Sequence, residues 1–162
     1  MADVFRSHLE WAGAAKGPTI DPATFSRELN VTIGAHTLPM SSAPGFRGDG
    51  LRMNPEQLFV ASLSACQALT YLFVAARNGI PVSAYSDEAE GLLGIVDGRM
   101  RMARVTLRPR ITLAPGADEA KARELIDRAH RDCFIANSVS VRIDLEATFE
   151  SIEAHPRPST IT

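Results

Sequence analysis

Residues 54–79 read NPEQLFVASLSACQALTYLFVAARNG, and the fold turns on what this stretch becomes. From Gln57 to Ala76 it holds 20 residues without a charge, between Glu56 and Arg77. That is long enough to cross a bilayer. It also carries Gln57, Ser62, Ser64, Gln67, Thr70 and Tyr71, and no second apolar run accompanies it. Its ends suit a soluble helix, because Asn54 can cap, Pro55 fits the first helical position and Asn78-Gly79 can stop it. The spacing predicts a helix over 55–78 that is apolar on nearly every face. A helix of that kind sits at the centre of a core. One small sheet cannot cover all of it, so an obligate dimer is expected, with a second copy covering the remainder.

Upstream of the helix, Val4 to Trp11 and Glu28 to Ile33 carry β-friendly residues and predict two short strands, with Gly17-Pro18 and Asp21-Pro22 as punctuation. Residues 36–53 are rich in Pro, Gly and Ser and predict a long loop. Downstream, strand-like sequence runs from Tyr85 to Val96, and Asp97-Gly98 signals a hairpin turn. Val105, Leu107, Ile111 and Leu113 alternate with polar residues in the returning strand, where Pro109 suggests an edge or a bulge. A second helix is predicted over 118–132, with Ala122, Leu125, Ile126, Ala129 and Cys133 on one stripe. Residues 139–150 alternate as a last strand. The hairpin-like links argue for an α+β fold with an antiparallel sheet.

The chain has 162 residues, which suits one domain, taken here as 1–154 with a polar tail at 155–162. With 45% apolar and 22% charged residues it has the balance of a soluble globular protein. The net charge of −2 gives no electrostatic case for nucleic acid. The N-terminal residues lack a basic region followed by an apolar run, so a cytoplasmic location is expected, where a permanent disulfide is disfavoured and a transient one is allowed. Neither a nucleic-acid nor a membrane partner is expected.

Two cysteines, Cys66 and Cys133, lie on helices expected to face the core. Each can be a small buried hydrophobe. Each can also be a reactive thiol, which requires a thiolate. Cys66 is too far from its own helix start for the dipole to help much, so a nearby cation is expected to lower its pKa. Glu56 is the candidate to hold that cation. It precedes Cys66 by ten residues, which leaves the two about 80° apart around the helix. Arg47 and Arg27 are the candidate cations; Arg52 adjoins the cap and is expected to face solvent. His8, His36, His130 and His155 show no metal-ligand spacing among themselves or with the cysteines. His130, three residues before Cys133, can share its helix face.

Asn54-Pro55-Glu56-Gln57-Leu58-Phe59, followed by Ala65-Cys66, resembles the helix signature of the OsmC/Ohr family of peroxide-reducing proteins. Ala129-His130 and then Cys133-Phe134-Ile135-Ala136-Asn137-Ser138 is similar to that family's second-cysteine segment. Glu10-Trp11-Ala12-Gly13 and Phe25-Ser26-Arg27 look like one OsmC-like branch. The resemblance implies an intertwined homodimer, with antiparallel sheets wrapped around long central helices and two sites near the subunit interface. It implies Cys66 as the peroxidatic thiol of an organic hydroperoxide reductase, Cys133 as the resolving thiol, and Glu56 holding an arginine, with Arg47 preferred over Arg27. The substrates would be organic or lipid hydroperoxides, with Phe59, Leu63 and Phe73 as candidate apolar neighbours. No cofactor is implied, only an external dithiol such as a lipoyl protein, thioredoxin or glutathione. Phe134 stands where many relatives have proline, and Gln67 where an aromatic is usual. The alternative is a non-enzymatic dimer on the same scaffold that binds a small apolar ligand in a stress response.

Overall fold

The computed structural model describes residues 2–152. The expected tail at 155–162, with His155, lies outside the described residues. The chain forms two compact units, one up to Phe59 and one from Val60 onward.

The first unit is built on a three-stranded antiparallel sheet in the order β1 (His8–Glu10), β2 (Leu29–Ile33), β3 (His36–Met40). Only three residues of the expected 4–11 strand pair, and Val4 and Phe5 are exposed. The expected loop at 36–53 instead begins with a strand. Gly34 takes φ 59° and closes a tight turn, so Ile33 faces His36 across a hairpin. Pro39 is tolerated because β3 is an edge. Between β1 and β2 the Trp11 indole Nε1–H donates to the Ser26 carbonyl at 2.7 Å. Helix α1 (Pro55–Arg77) opens with a reciprocal cap. The Gln57 N–H donates to Asn54 Oδ1 at 2.9 Å, and the Asn54 N–H donates to Gln57 Oε1 at 3.0 Å.

In the second unit, the three expected long strands each break at the same level. Residues 82–96 divide into β4 (Val82–Asp87) and β5 (Glu90–Val96). The return divides into β6 (Arg99–Leu107) and β7 (Pro109–Leu113), and the last segment into β8 (Arg142–Leu145) and β9 (Thr148–Ser151). The upper halves pair as β5-β6-β8 and the lower halves as β4-β7-β9. At the joint, the Arg108 N–H donates to Asp87 Oδ1 at 2.7 Å, and its guanidinium reaches Glu146 at 3.0 Å and Glu90 at 3.3 Å. The Ser64 hydroxyl of α1 donates to the other Asp87 oxygen at 2.6 Å. Pro109 is neither an edge nor a bulge. It is buried and begins β7, the middle strand of its sheet, where its missing N–H falls at a strand start.

The hairpins are antiparallel as expected, and Asp97 and Gly98 both take positive φ in the β5–β6 turn. The last two strands differ: β8 joins β6 and β9 joins β7 in parallel. They follow helices α2 (Glu119–Asp132) and α3 (Phe134–Asn137), and a helical connection returns the chain in the same direction. α2 starts on Asp118, whose carboxylate accepts the Lys121 N–H at 2.9 Å. Its apolar stripe meets the buried face of α1 in a core of Tyr71, Val74, Ala75, Ile80, Ile111, Leu113, Ala122, Leu125, Ile126 and Ala129. α1 is long and apolar enough to cross a membrane by length and composition. It nevertheless buries Leu63, Gln67, Tyr71, Val74 and Ala75, while Leu69 and Phe73 remain 70% and 60% exposed.

Candidate active site

Cys66 stands midway along α1, and Cys133 is the residue at which α2 stops and α3 begins. Cys133 has extended dihedrals (φ −70°, ψ 115°), so the chain bends there and α3 sets off in a new direction. This bend brings the amide end of α3 to Cys66: the Ile135 N–H donates to Cys66 Sγ at 3.5 Å. Both cysteines are free thiols, and each thiol shifts the other's proton affinity. The pair that the sequence could only name is therefore close enough for each thiol to influence the other.

Their surroundings treat them unequally. Burial by itself would raise the Cys66 pKa. The Ile135 N–H, the Cys133 thiol, the Thr70 hydroxyl and the Phe134 N–H outweigh burial and hold Cys66 below the ordinary cysteine value. Thr70 sits one turn further along α1, with its hydroxyl donating to the Cys66 carbonyl at 2.8 Å. Burial, followed by the hydrogen bond to Cys66, pushes Cys133 up to about 11, against opposing N–H donors from Ala136 and Ile135. Cys133 is 1% exposed, whereas Phe134 beside it is 83% exposed.

Further polar groups are buried in the same unit. Gln67 is wholly buried, and its Oε1 lies 3.3 Å from His130 Nδ1. The Tyr85 hydroxyl is buried without a hydrogen-bond partner among the described residues. Burial pushes the Tyr71 phenol to about 12. Sequence reasoning missed Thr70, Tyr85 and the α3 amides. Thr70 could have been found from its i+4 spacing to Cys66; the other groups lie far away in the chain.

The remaining candidates belong to the first unit. The Arg27 guanidinium is engaged there: it donates to the carbonyls of Phe25 and Pro22, each at 2.6 Å, and stacks 4.1 Å over the Phe25 ring. Arg47 ends a short 3-10 turn in the left-handed region (φ 63°) and is exposed. Both line an open pocket of about 370 Å³ with Lys16, Ser41 and Asp49. Arg52 does not simply face solvent, since it pairs with Asp49 at 3.3 Å and Glu28 at 3.7 Å. Glu56 has one buried carboxylate oxygen, Oε2, with no hydrogen-bond partner among the described residues. Such an atom calls for a donor.

Comparison with known proteins adds the family context. A family model described as OsmC-like protein matches residues 48–148. The chain is 36% identical over 101 residues to an uncharacterised protein of Acinetobacter baylyi, covering 61% of this chain and 67% of that protein. It is 34% identical over 106 residues to an organic hydroperoxide resistance protein of Xanthomonas axonopodis pv. citri, covering 64% and 70% respectively. Among solved structures, an OsmC-like protein of unknown function from Vibrio cholerae superposes with a TM-score of 0.82 at 25% identity, over 91% of this chain and 100% of that one. An organic hydroperoxide resistance protein OsmC from Legionella pneumophila shares the fold, with a TM-score of 0.68 at 21% identity over 93% of this chain and 98% of the other.

Proposed function

The chain belongs to the OsmC-like family, and on that premise we propose that it is a thiol peroxidase that reduces organic hydroperoxides through Cys66 and Cys133. The observation that carries this reading is that α3, which sets off from Cys133, brings the Ile135 N–H to Cys66 Sγ at 3.5 Å, beside two thiols of unequal proton affinity. The thiol held below its ordinary value attacks, and the buried, proton-retaining thiol resolves.

In the first step the Cys66 thiolate attacks the terminal oxygen of the hydroperoxide. The O–O bond breaks, the alkoxide takes a proton and leaves as an alcohol, and Cys66 becomes a sulfenic acid. In the second step the Cys133 sulfur attacks Cys66, a water molecule leaves with the sulfenic oxygen, and a disulfide forms. An external dithiol then returns two electrons, so no bound cofactor is needed; a lipoyl protein would suit this role. The backbone donors of α3 favour the thiolate throughout. Arg47, held by Glu56, would orient the peroxide. The lone buried Glu56 oxygen supports that pairing, and the engagement of Arg27 with its own loop favours Arg47 over Arg27.

The protein would work as a cytoplasmic homodimer, with residues 1–154 of each copy as one domain. The exposed apolar side of α1 supports the dimer. A Leu69→Glu substitution is expected to yield monomer by light scattering; unchanged dimer, or monomer in the parent, would remove α1 from the interface.

The decisive experiment is a thiol count before and after one equivalent of cumene hydroperoxide. Loss of two thiols per chain is expected in the parent. Cys66→Ser should abolish turnover, and Cys133→Ser should permit one oxidation without recycling. No thiol loss in the parent would favour a non-enzymatic dimer that binds a small apolar ligand.

A further inference from the structure

Gln67 and His130 have no part in the cycle above, yet each lies within one helical turn of one of its cysteines. Gln67 follows Cys66 on α1. His130 lies on α2 one turn before Cys133, whose N–H donates to the His130 carbonyl at 3.3 Å. Between them runs a side-chain hydrogen bond, Gln67 Oε1 to His130 Nδ1 at 3.3 Å. Turning the amide over exchanges donor and acceptor but leaves one hydrogen bond to the ring in either orientation.

This arrangement is costly to maintain. Gln67 is 0% exposed, and its Nε2 has no partner among the described residues. A buried amide left half satisfied destabilises a core that an apolar side chain of the same size would fill without penalty. What the amide adds is direction. It ties the α1 turn that carries Cys66 to the α2 turn that ends in Cys133.

We infer that Gln67 and His130 are positioning residues that clamp the two cysteine-bearing turns together for disulfide closure. The use of the clamp rests on the peroxidase reading, but its test does not. Closure joins Cys66 Sγ to Cys133 Sγ and, from the sulfenic acid, releases one water. Its rate and equilibrium rise with the effective concentration of one sulfur at the other. By linkage, the hydrogen bond favours the disulfide by the same factor that the disulfide favours the hydrogen bond.

The test equilibrates the full chain with mixtures of reduced and oxidised dithiothreitol, and reads the disulfide fraction by alkylation and intact mass. Gln67→Met keeps length and bulk but removes the bond. His130→Leu removes it from the other side. His130→Asn places an amide near the Nδ1 position and keeps it. The disulfide equilibrium constant is expected to fall about tenfold in Gln67→Met and in His130→Leu, a potential about 30 mV more oxidising. The double variant should fall no further than either single one. His130→Asn should recover to within about threefold of the parent.

Equal constants in parent, Gln67→Met and His130→Leu would overturn the clamp, as would an His130→Asn value no better than that of leucine. Should Gln67→Met fail to fold, the two variants of the half-buried His130 carry the test. A shifted dithiothreitol equilibrium together with no thiol loss to cumene hydroperoxide would uphold the clamp and reject the peroxidase reading alone.

Discussion

In the second unit the Cys66 sulfur draws its stabilisation from backbone N–H groups, those of Ile135 and Phe134 at the start of α3, together with the Cys133 thiol and the Thr70 hydroxyl. In the first unit the candidate charges are side chains on loops, with Arg27 fastened to the carbonyls of Pro22 and Phe25 and Arg47 exposed at the end of a 3-10 turn. The contrast teaches that lowering a thiol pKa and orienting a substrate can be separate tasks. Amides fixed by a helix start need no reorganisation and carry no net charge to desolvate. A guanidinium on a loop can meet a peroxide but must be ordered each time.

Arg47→Ala breaks the comparison most sharply. Hydroperoxide reduction at neutral pH should slow by about 100-fold, the usual effect of removing one aimed donor. Alkylation of Cys66 by iodoacetamide should stay close to the parent rate, because the α3 amides remain. A parallel fall in both rates would mean that the arginine, and not the backbone, sustains the thiolate.

Phe134→Pro works from the other side, since proline lacks the N–H that helps to hold Cys66 down. Alkylation of Cys66 rises with pH as its thiolate forms. Losing a donor moves that midpoint upward, so the rate at neutral pH falls while the alkaline plateau is kept. An unmoved profile would assign the effect to the remaining donors. In the parent, alkylation followed by mass spectrometry should modify one thiol, Cys66, near neutral pH. The second should react only as the pH approaches about 11, where Cys133 ionises. Two equally reactive thiols would contradict the asymmetry.

Arg27→Ala should have the smallest effect on turnover, within about threefold. It should instead cost the first unit about 1 kcal/mol through its lost carbonyl contacts, read as a lower thermal midpoint. A larger loss of turnover than in Arg47→Ala would reverse the roles of the two arginines.

Much of this architecture was legible in the residues. Asn54, Pro55 and Gly79 bracket α1, Asp118 starts α2, and Asp97-Gly98 turns the β5–β6 hairpin, because caps and turns are written in short-range chemistry. The break shared by the three long segments was not legible. Residues 85–96 read as one strand-like segment and 105–113 and 139–150 alternate, with Pro109 the one hint of an interruption, and the joint exists only where Asp87, Arg108 and Glu146 meet from separate segments. Strand β3 was concealed by Pro39, Ser41 and Pro44, which resemble loop residues until the edge position of β3 explains the first of them.

The same division runs through the site. Sequence alone determined the two cysteines, their helices and the all-apolar stretch that holds Cys66, since periodicity and composition act within a dozen residues. Only the family resemblance separated their roles; periodicity and spacing could not say which thiol would keep its proton. The difference comes from tertiary structure: α3 turns the Ile135 amide onto Cys66 while Cys133 stays buried. A pKa depends on desolvation and on donors within a few ångströms, and here the decisive donor lies 69 residues away along the chain.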